Sequence, residues 1–406
     1  MSLRVIAVLW LGIVAASTGF CGDDLAAQVP APSDAERERL ALDPFYTKLV
    51  SAEGFPIVSS SKVADAALFE AAWIIDRMLE HRPDVRQELI RHKTRLCVMA
   101  PDEFTTDLPD FAKLEPKFYW DRRARGLGGD VSLSCGEENL LLYPGDPYAA
   151  ENILIHEFAH TIDAALRRLD PAFGERLDTA FREARAAGLW KSAYAGTNPS
   201  EYWAEGVQCW FDNNRENDNE HNHVNTRGEL KGYDPGLAEL VQGMFGDTPW
   251  VYSKPATRRG LPHLAGWNPE QSPRFAWPER LLAANREFFD EIPDAQTPAA
   301  PKPVDWEELA PLPLDSLESL KSKTRGKQVT VFLINRTRQE LQMSWIDFEG
   351  KAKAYDRVRP GFPSQQSTFA GHVWLASTLD GKPFALFVAG EQLGRAVISD
   401  DTAESK

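Results

Sequence analysis

Two histidines four residues apart, with a glutamate directly after the first, offer the clearest chemistry in the chain: His156-Glu157-Phe158-Ala159-His160. On a helix, positions i and i+4 share one face, so both imidazoles can grip a single Zn²⁺ ion. Glu157 then stands where a carboxylate can take a proton from a water on that metal. Aliphatic neighbours at Ile153, Phe158 and Ile162 give the helix a buried side.

Zinc in a catalytic site takes three protein ligands and keeps one position open. A glycine followed by a third histidine on the same stretch is one known solution, but Asp163 and Leu166 occupy those places. The remaining candidates are Glu201, Glu205, His221 and His223. Asn198-Pro199 reads as the cap and first residue of a second helix, on which Glu201 and Glu205 are four apart. Glu201 can bind the metal while Glu205, one turn on, orients a ligand histidine. Asn198 and Glu201 also fit a capping box; the ligand role is preferred because the two histidines require a partner. His221 and His223 lie in the polar stretch 213–225 and are expected to be solvated. Glu137 and Glu138 are adjacent, so on a strand they face opposite ways and cannot flank one glycosidic bond; a solvated or anchoring role is expected.

These residues need a scaffold. Asp146-Pro147 reads as the start of the histidine-bearing helix and Asp170-Pro171 as its stop. A helical pattern covers 63–79, strand-length runs cover 95–100 and 139–143, and the glycine-rich 122–129 reads as a loop. Prolines at 293, 298, 301, 303, 311 and 313 mark a semi-rigid linker. Short β-rich runs at 329–334, 341–348, 371–376 and 384–389 follow, separated by Gly/Pro turns. The expected organisation is a signal peptide at 1–19 (Arg4, then apolar 5–16, then small residues), a flexible tail at 20–43 and a mixed α+β domain at 44–292. A linker at 293–326, an all-β domain at 327–398 and a tail at 399–406 complete it.

The 406 residues carry a net charge of −15 with 43% hydrophobic residues. That composition excludes wholesale disorder and argues against nucleic acid as a partner. No apolar run reaches the ~18–20 residues of a membrane span. Export predicts a secreted or periplasmic protein, and the four cysteines (Cys21, Cys97, Cys135, Cys209) then suit one or two disulfides, with Cys209 a possible buried thiol.

Two resemblances extend this reading. His156 to His160, followed by Tyr194-Ala-Gly-Thr-Asn-Pro-Ser-Glu201-Tyr-Trp-Ala-Glu205, resembles the gluzincin metallopeptidases of the anthrax lethal factor type over about residues 150–211. The resemblance implies a zincin-like fold, His156, His160 and Glu201 as zinc ligands, and Glu157 as base. It also implies that Tyr194, seven residues before Glu201, stabilises the oxyanion. Asn335-Arg336, Trp345 to Gly350, Tyr355, Pro360-Gly361 and Gly371 to Leu375 resemble the β domain of the von Hippel–Lindau tumour suppressor over about residues 328–390. This second resemblance implies a β sandwich whose Trp345, Tyr355, Thr368, His372 and Trp374 bind a hydroxyproline-containing peptide, with Thr368 where the family has serine. Two tryptophans and a tyrosine can wall a pyrrolidine ring while His372 and Thr368 bond a hydroxyl.

The sequence therefore predicts an α+β zincin-like metallopeptidase domain followed by a small all-β sandwich. The expected function is that of a secreted zinc peptidase acting on peptide or protein substrates, with hydroxyproline-rich chains among its partners. The rival reading is a non-catalytic peptide-binding protein whose zincin part is a scaffold.

Overall fold

The computed structural model describes residues 28–191, 193–289, 306–360 and 363–400. The expected signal peptide, Cys21, linker residues 293–305 and the end of the C-terminal tail lie outside the described residues. Among those described, no helix is long and apolar enough to cross a membrane.

Chain order begins α1 (Asp34–Leu40), β1 (Lys48–Ala52), β2 (Phe55–Ser59), α2 (Asp65–Met78), α3 (Pro83–Arg91) and β3 (Arg95–Met99). Residues 28–43, read as a tail, pack instead: Val29 and Leu40 are buried, and the Leu40 carbonyl accepts from Arg95 at 3.0 Å. Next come α4 (Lys117–Arg123), β4 (Gly126–Leu127), β5 (Ser132–Gly136) and α5 (Glu137–Leu140). The five strands form one sheet in the order β1-β2-β3-β5-β4, with β4 antiparallel to β5 at one edge. Alternating residues of β2 and β3 serve two cores. Ile57, Leu96 and Val98 meet the helices, while Val58, Cys97 and Met99 face the N-terminal segment.

Two local readings change here. The run 139–143 is not a strand, because α5 turns away after Gly136 so that the Glu138 carboxylate can meet Arg125. Both side chains are fully buried and paired through two bonds, one of 2.9 Å. Arg125 also donates to the Ala100 carbonyl at 3.0 Å and to that of Glu103. Glu137, likewise buried, accepts the Ala64 N–H at 2.6 Å, and burial pushes its carboxyl up to about 7. The glycine-rich stretch is not only loop, since it carries β4 immediately after Arg125.

The long helix α6 (Ile153–Leu169) packs against β5 and β4 of the sheet, followed by α7 (Phe173–Ala186), α8 (Pro199–Trp210), α9 (Arg227–Tyr233), α10 (Pro235–Phe245) and α11 (Glu279–Phe289). Asn152, not Asp146, caps α6, accepting from the Ile155 N–H at 3.2 Å. Asp146 is drawn off to Asn139 and the Tyr148 N–H.

The C-terminal part is a sandwich of two four-stranded sheets. Its strands are β6 (Glu307–Glu308), β7 (Gln328–Asn335), β8 (Leu341–Ile346), β9 (Ala352–Val358), β10 (Pro363–Phe369), β11 (Val373–Ser377), β12 (Pro383–Val388) and β13 (Gly394–Ile398). The sheets run β10-β7-β13-β6 and β12-β11-β8-β9. Residues 306–326, read as linker, belong to this unit. β6 pairs with β13, and Leu312, Leu314, Leu317 and Leu320 cover an outer face of the second sheet. The three described cysteines are free and buried, so no disulfide forms among them; Cys209 is the buried thiol expected.

Removing Arg125 strands Glu138 as an unpaired buried charge, which costs about 3–5 kcal/mol. Arg125→Ala should therefore lower the urea midpoint strongly. A loss below ~1 kcal/mol would mean that the pair does not anchor β4.

Candidate metal centre

Helix α8 owes its start to Asn198, whose side chain accepts the backbone N–H groups of Ser200 and Glu201 at 2.9 and 3.0 Å. The reciprocal half of a capping box is absent because the Glu201 carboxylate goes elsewhere. It lies 3.2 Å from His156 Nε2 and 3.4 Å from His160 Nε2, and the two imidazole nitrogens are 3.2 Å apart. Three ligands bound tetrahedrally at ~2.0–2.1 Å stand about 3.3 Å from one another. The observed triangle is the face such an ion would occupy, and these residues form the three-ligand cluster among the described residues.

The donor set fits a metal for a second reason. His156 Nδ1 is 2.7 Å from Gln208 Oε1, and His160 Nδ1 is 2.9 Å from Ser200 Oγ. Gln208 Oε1 is only an acceptor, so His156 Nδ1 carries the proton and its Nε2 presents a lone pair; the Ser200 contact suits the same tautomer at His160. Burial alone would raise the Glu201 carboxyl, but His160 and His156 outweigh it and hold that carboxyl well below the usual range. Burial would likewise lower His156, yet Glu201, Glu157 and Glu205 outweigh it and hold the imidazole well above its ordinary value, so a metal binding at Nε2 would displace a proton from that nitrogen.

Glu205 is not the direct orienting partner expected. It stands 3.6 Å from His156 Nδ1, and its carboxylate is engaged by His221 Nε2 at 3.3 Å and Asn214 Nδ2 at 2.9 Å. Gln208, one turn further along α8, takes the orienting role, and its amide donates to Glu151 at 2.9 Å. The signal for Gln208 was its spacing: 201, 205 and 208 form one polar stripe on an otherwise apolar helix. His221 was misread as solvated; it is buried against Glu205 and Asp218, whereas His223 is exposed.

Glu157 and His160 lie beneath β4 and the glycines that follow it. A Cβ on Gly126 would come within 3.0 Å of Glu157 Cγ, and one on Gly128 within 2.7 Å of His160 Cβ. Only glycine lets this edge pass so close to the helix, a function the loop reading overlooked. Tyr194 opens a three-residue 3₁₀ turn, its ring 6.3 Å from that of His156. Burial raises its hydroxyl well above the normal tyrosine range, so it stays protonated. One cleft is lined by His156, Glu157, His160, Tyr194, Glu201 and Glu205 and, on another side, by Asp356, Arg357 and Arg359 of the sandwich.

A second cluster lies on the sandwich. Trp345 and His372 are 5.2 Å apart, and Tyr355 meets the Trp374 ring edge-on at 5.0 Å. Thr368 Oγ1 is 3.1 Å from His372 Nδ1 and accepts the Trp374 indole N–H at 3.2 Å. The five predicted residues are thus brought together, with Trp374 and Thr368 buried as the floor and Tyr355 exposed. Phe348 and Phe369, not anticipated, extend the patch through contacts with His372 at 5.8 and 5.3 Å. Burial lowers the His372 imidazole, keeping it neutral near pH 7.

Residues 317–392 match the family model of the VHL beta domain. The match begins within the segment read as linker, in keeping with the leucines that cover the second sheet. No curated protein matches the chain.

Gln208→Leu removes the acceptor that fixes His156 without touching a ligand atom. Loss of such an outer partner typically lowers metal affinity about 10–100-fold. Competition with a chromogenic zinc chelator should show that drop, and unchanged affinity would remove Gln208 from the site.

Proposed function

We propose that the chain is an exported zinc-dependent peptidase of the gluzincin type, with a zincin-like first domain and a VHL-type β sandwich that recognises peptides. The observation that carries the reading is the triangle of His156 Nε2, His160 Nε2 and a Glu201 oxygen, with sides of 3.2–3.4 Å. Zinc, when bound there, supplies Lewis-acid polarisation of a scissile carbonyl and a lowered pKa for water.

The protein's own groups do the rest. Glu157 follows a ligand on the same face of the cleft, where it takes the proton of the attacking water and delivers it to the leaving amine. Tyr194 keeps its proton and can donate to the oxygen that gains charge in the tetrahedral transition state. Gln208 and Ser200 hold the two imidazoles in the required tautomer. Export rests on the charged and apolar N-terminal segment.

The aromatic patch supports peptide binding by the sandwich. Trp345, Tyr355 and Trp374 offer flat apolar surface, and Thr368 with His372 offers a hydroxyl-bonding pair. The same patch favours the rival reading of a binding protein, and metal content separates the two.

Purified full-length protein should contain one zinc per chain and cleave members of a fluorogenic peptide library. Glu157→Gln should retain the zinc and lose at least ~10²-fold in rate, because a base is removed and not a ligand. Absence of zinc binding would leave the binding-protein reading.

Glu157→Gln protein also allows the patch to be tested without cleavage. Calorimetry should find a 4-hydroxyproline peptide bound about tenfold or more tightly than its proline twin, equivalent to ~1.4 kcal/mol for one unmet hydroxyl partner. The preference should vanish in His372→Ala. Equal affinities would end the hydroxyproline assignment while leaving peptide binding intact.

A further inference from the structure

The sandwich reaches into the metal cleft with a guanidinium. Arg359 follows β9, and its guanidinium lies 5.7 Å from the centroid of the Tyr194 ring. It also pairs with Glu220 at 3.4 Å, both side chains being largely shielded from water. Glu220 holds Tyr194 from below: its carbonyl accepts the Tyr194 N–H at 2.6 Å. The same glutamate pairs with Arg215 at 2.8 Å, and Arg215 with Glu151 at 3.0 Å. Glu151 accepts from Gln208, which orients His156. One continuous polar chain therefore joins the second domain to the candidate metal ligand.

We infer that Arg359 is a positioning residue that acts across the domain interface, fixing Tyr194 over the metal site and making the β sandwich an integral wall of the catalytic centre. Its consequence for catalysis rests on the peptidase reading above; its consequence for the Tyr194 turn does not. A single 3₁₀ turn has few internal hydrogen bonds and little rigidity of its own. Tyr194 is restrained on its backbone through Glu220 and on its ring by the cation, and Arg359 touches both restraints. A planar guanidinium can stack on a ring and pair with a carboxylate at once, which an ammonium does less well.

The test uses full-length protein with Arg359→Ala, Arg359→Lys, Tyr194→Phe and the Ala/Phe double variant. Hydrogen exchange of the amides at 193–197 should quicken about tenfold in Arg359→Ala, with α6 unchanged. On a library peptide cleaved by the wild type, kcat should fall about 10–100-fold, with KM and zinc content nearly constant. Lysine should restore part of the loss. Arg359→Ala should add little in the Tyr194→Phe background, because it acts through that tyrosine. Unchanged exchange at 193–197, or losses that multiply in the double variant, would overturn the inference. If zinc-loaded wild type cleaves nothing, the peptidase reading fails while exchange still decides the role of Arg359. Should Arg359→Ala loosen the whole fold, Glu220→Gln breaks the same pair from the other side, and unchanged exchange there overturns the inference as well.

Discussion

The packing of α8 across α6 is the constraint on which the cleft depends. Trp203, fully buried on α8, donates its indole N–H to the Ala159 carbonyl of α6 at 2.9 Å. An α6 carbonyl four residues before a helical N–H normally serves that N–H alone, so this second bond ties the two helices at one register. From that register, Ser200 and Glu201 meet the two histidines at one end of the contact and Gln208 meets His156 at the other. The far side of α8 is equally constrained, since a Cβ on Gly206 would come within 2.6 Å of Leu237 on α10. A shift of one residue would rotate the polar stripe by ~100° and separate the carboxylate from both imidazoles.

Burying so much charge is costly unless each group is paired. Glu151, Glu205 and Glu201 are all largely removed from water within one small region. Arg215 offsets the first, His221 and Asn214 the second, and His156 and His160 the third. The segment 213–225 thus contributes counter-charges in place of metal ligands. Its polar composition reflects that work as much as exposure, which is why His221 looked solvated in the sequence.

Much of this was legible. The histidine pair, Glu201 with its cap, and the runs expected at 329–334, 341–348, 371–376 and 384–389, which fall on β7, β8, β11 and β12, follow from spacing and turn chemistry. What escaped depends on contacts distant in sequence. Gln208 carries no charge and drew no notice, although its position on the stripe marked it. The glycines at 126 and 128 are ordinary loop residues until α6 lies beneath them. Within the β-rich run 329–334, the four consecutive apolar residues 331–334 carry a further signal. A half-exposed strand alternates, whereas a continuous run signals burial on both faces. Val329, Val331 and Leu333 fill the sandwich, while Phe332 turns outward onto Tyr119 at 4.5 Å and Phe288 at 5.1 Å.

That outward Phe332 sets how the cleft and the aromatic patch stand relative to one another. A domain on a flexible linker raises the local concentration of whatever it holds, with little preference for where the held chain is cut. Here Phe332 is buried among α4 and α11, Arg395 donates to the Phe288 carbonyl, and Arg336 donates to that of Phe289. The docked sandwich presents Tyr355 of the aromatic patch and Arg359 of the cleft on one strand and its continuation. Four residues of extended chain separate them, ~13 Å at the usual rise. An extended peptide spanning both surfaces would meet them at a fixed number of its own residues. On the proposed peptidase reading, selectivity would then come from spacing, set by a strand length.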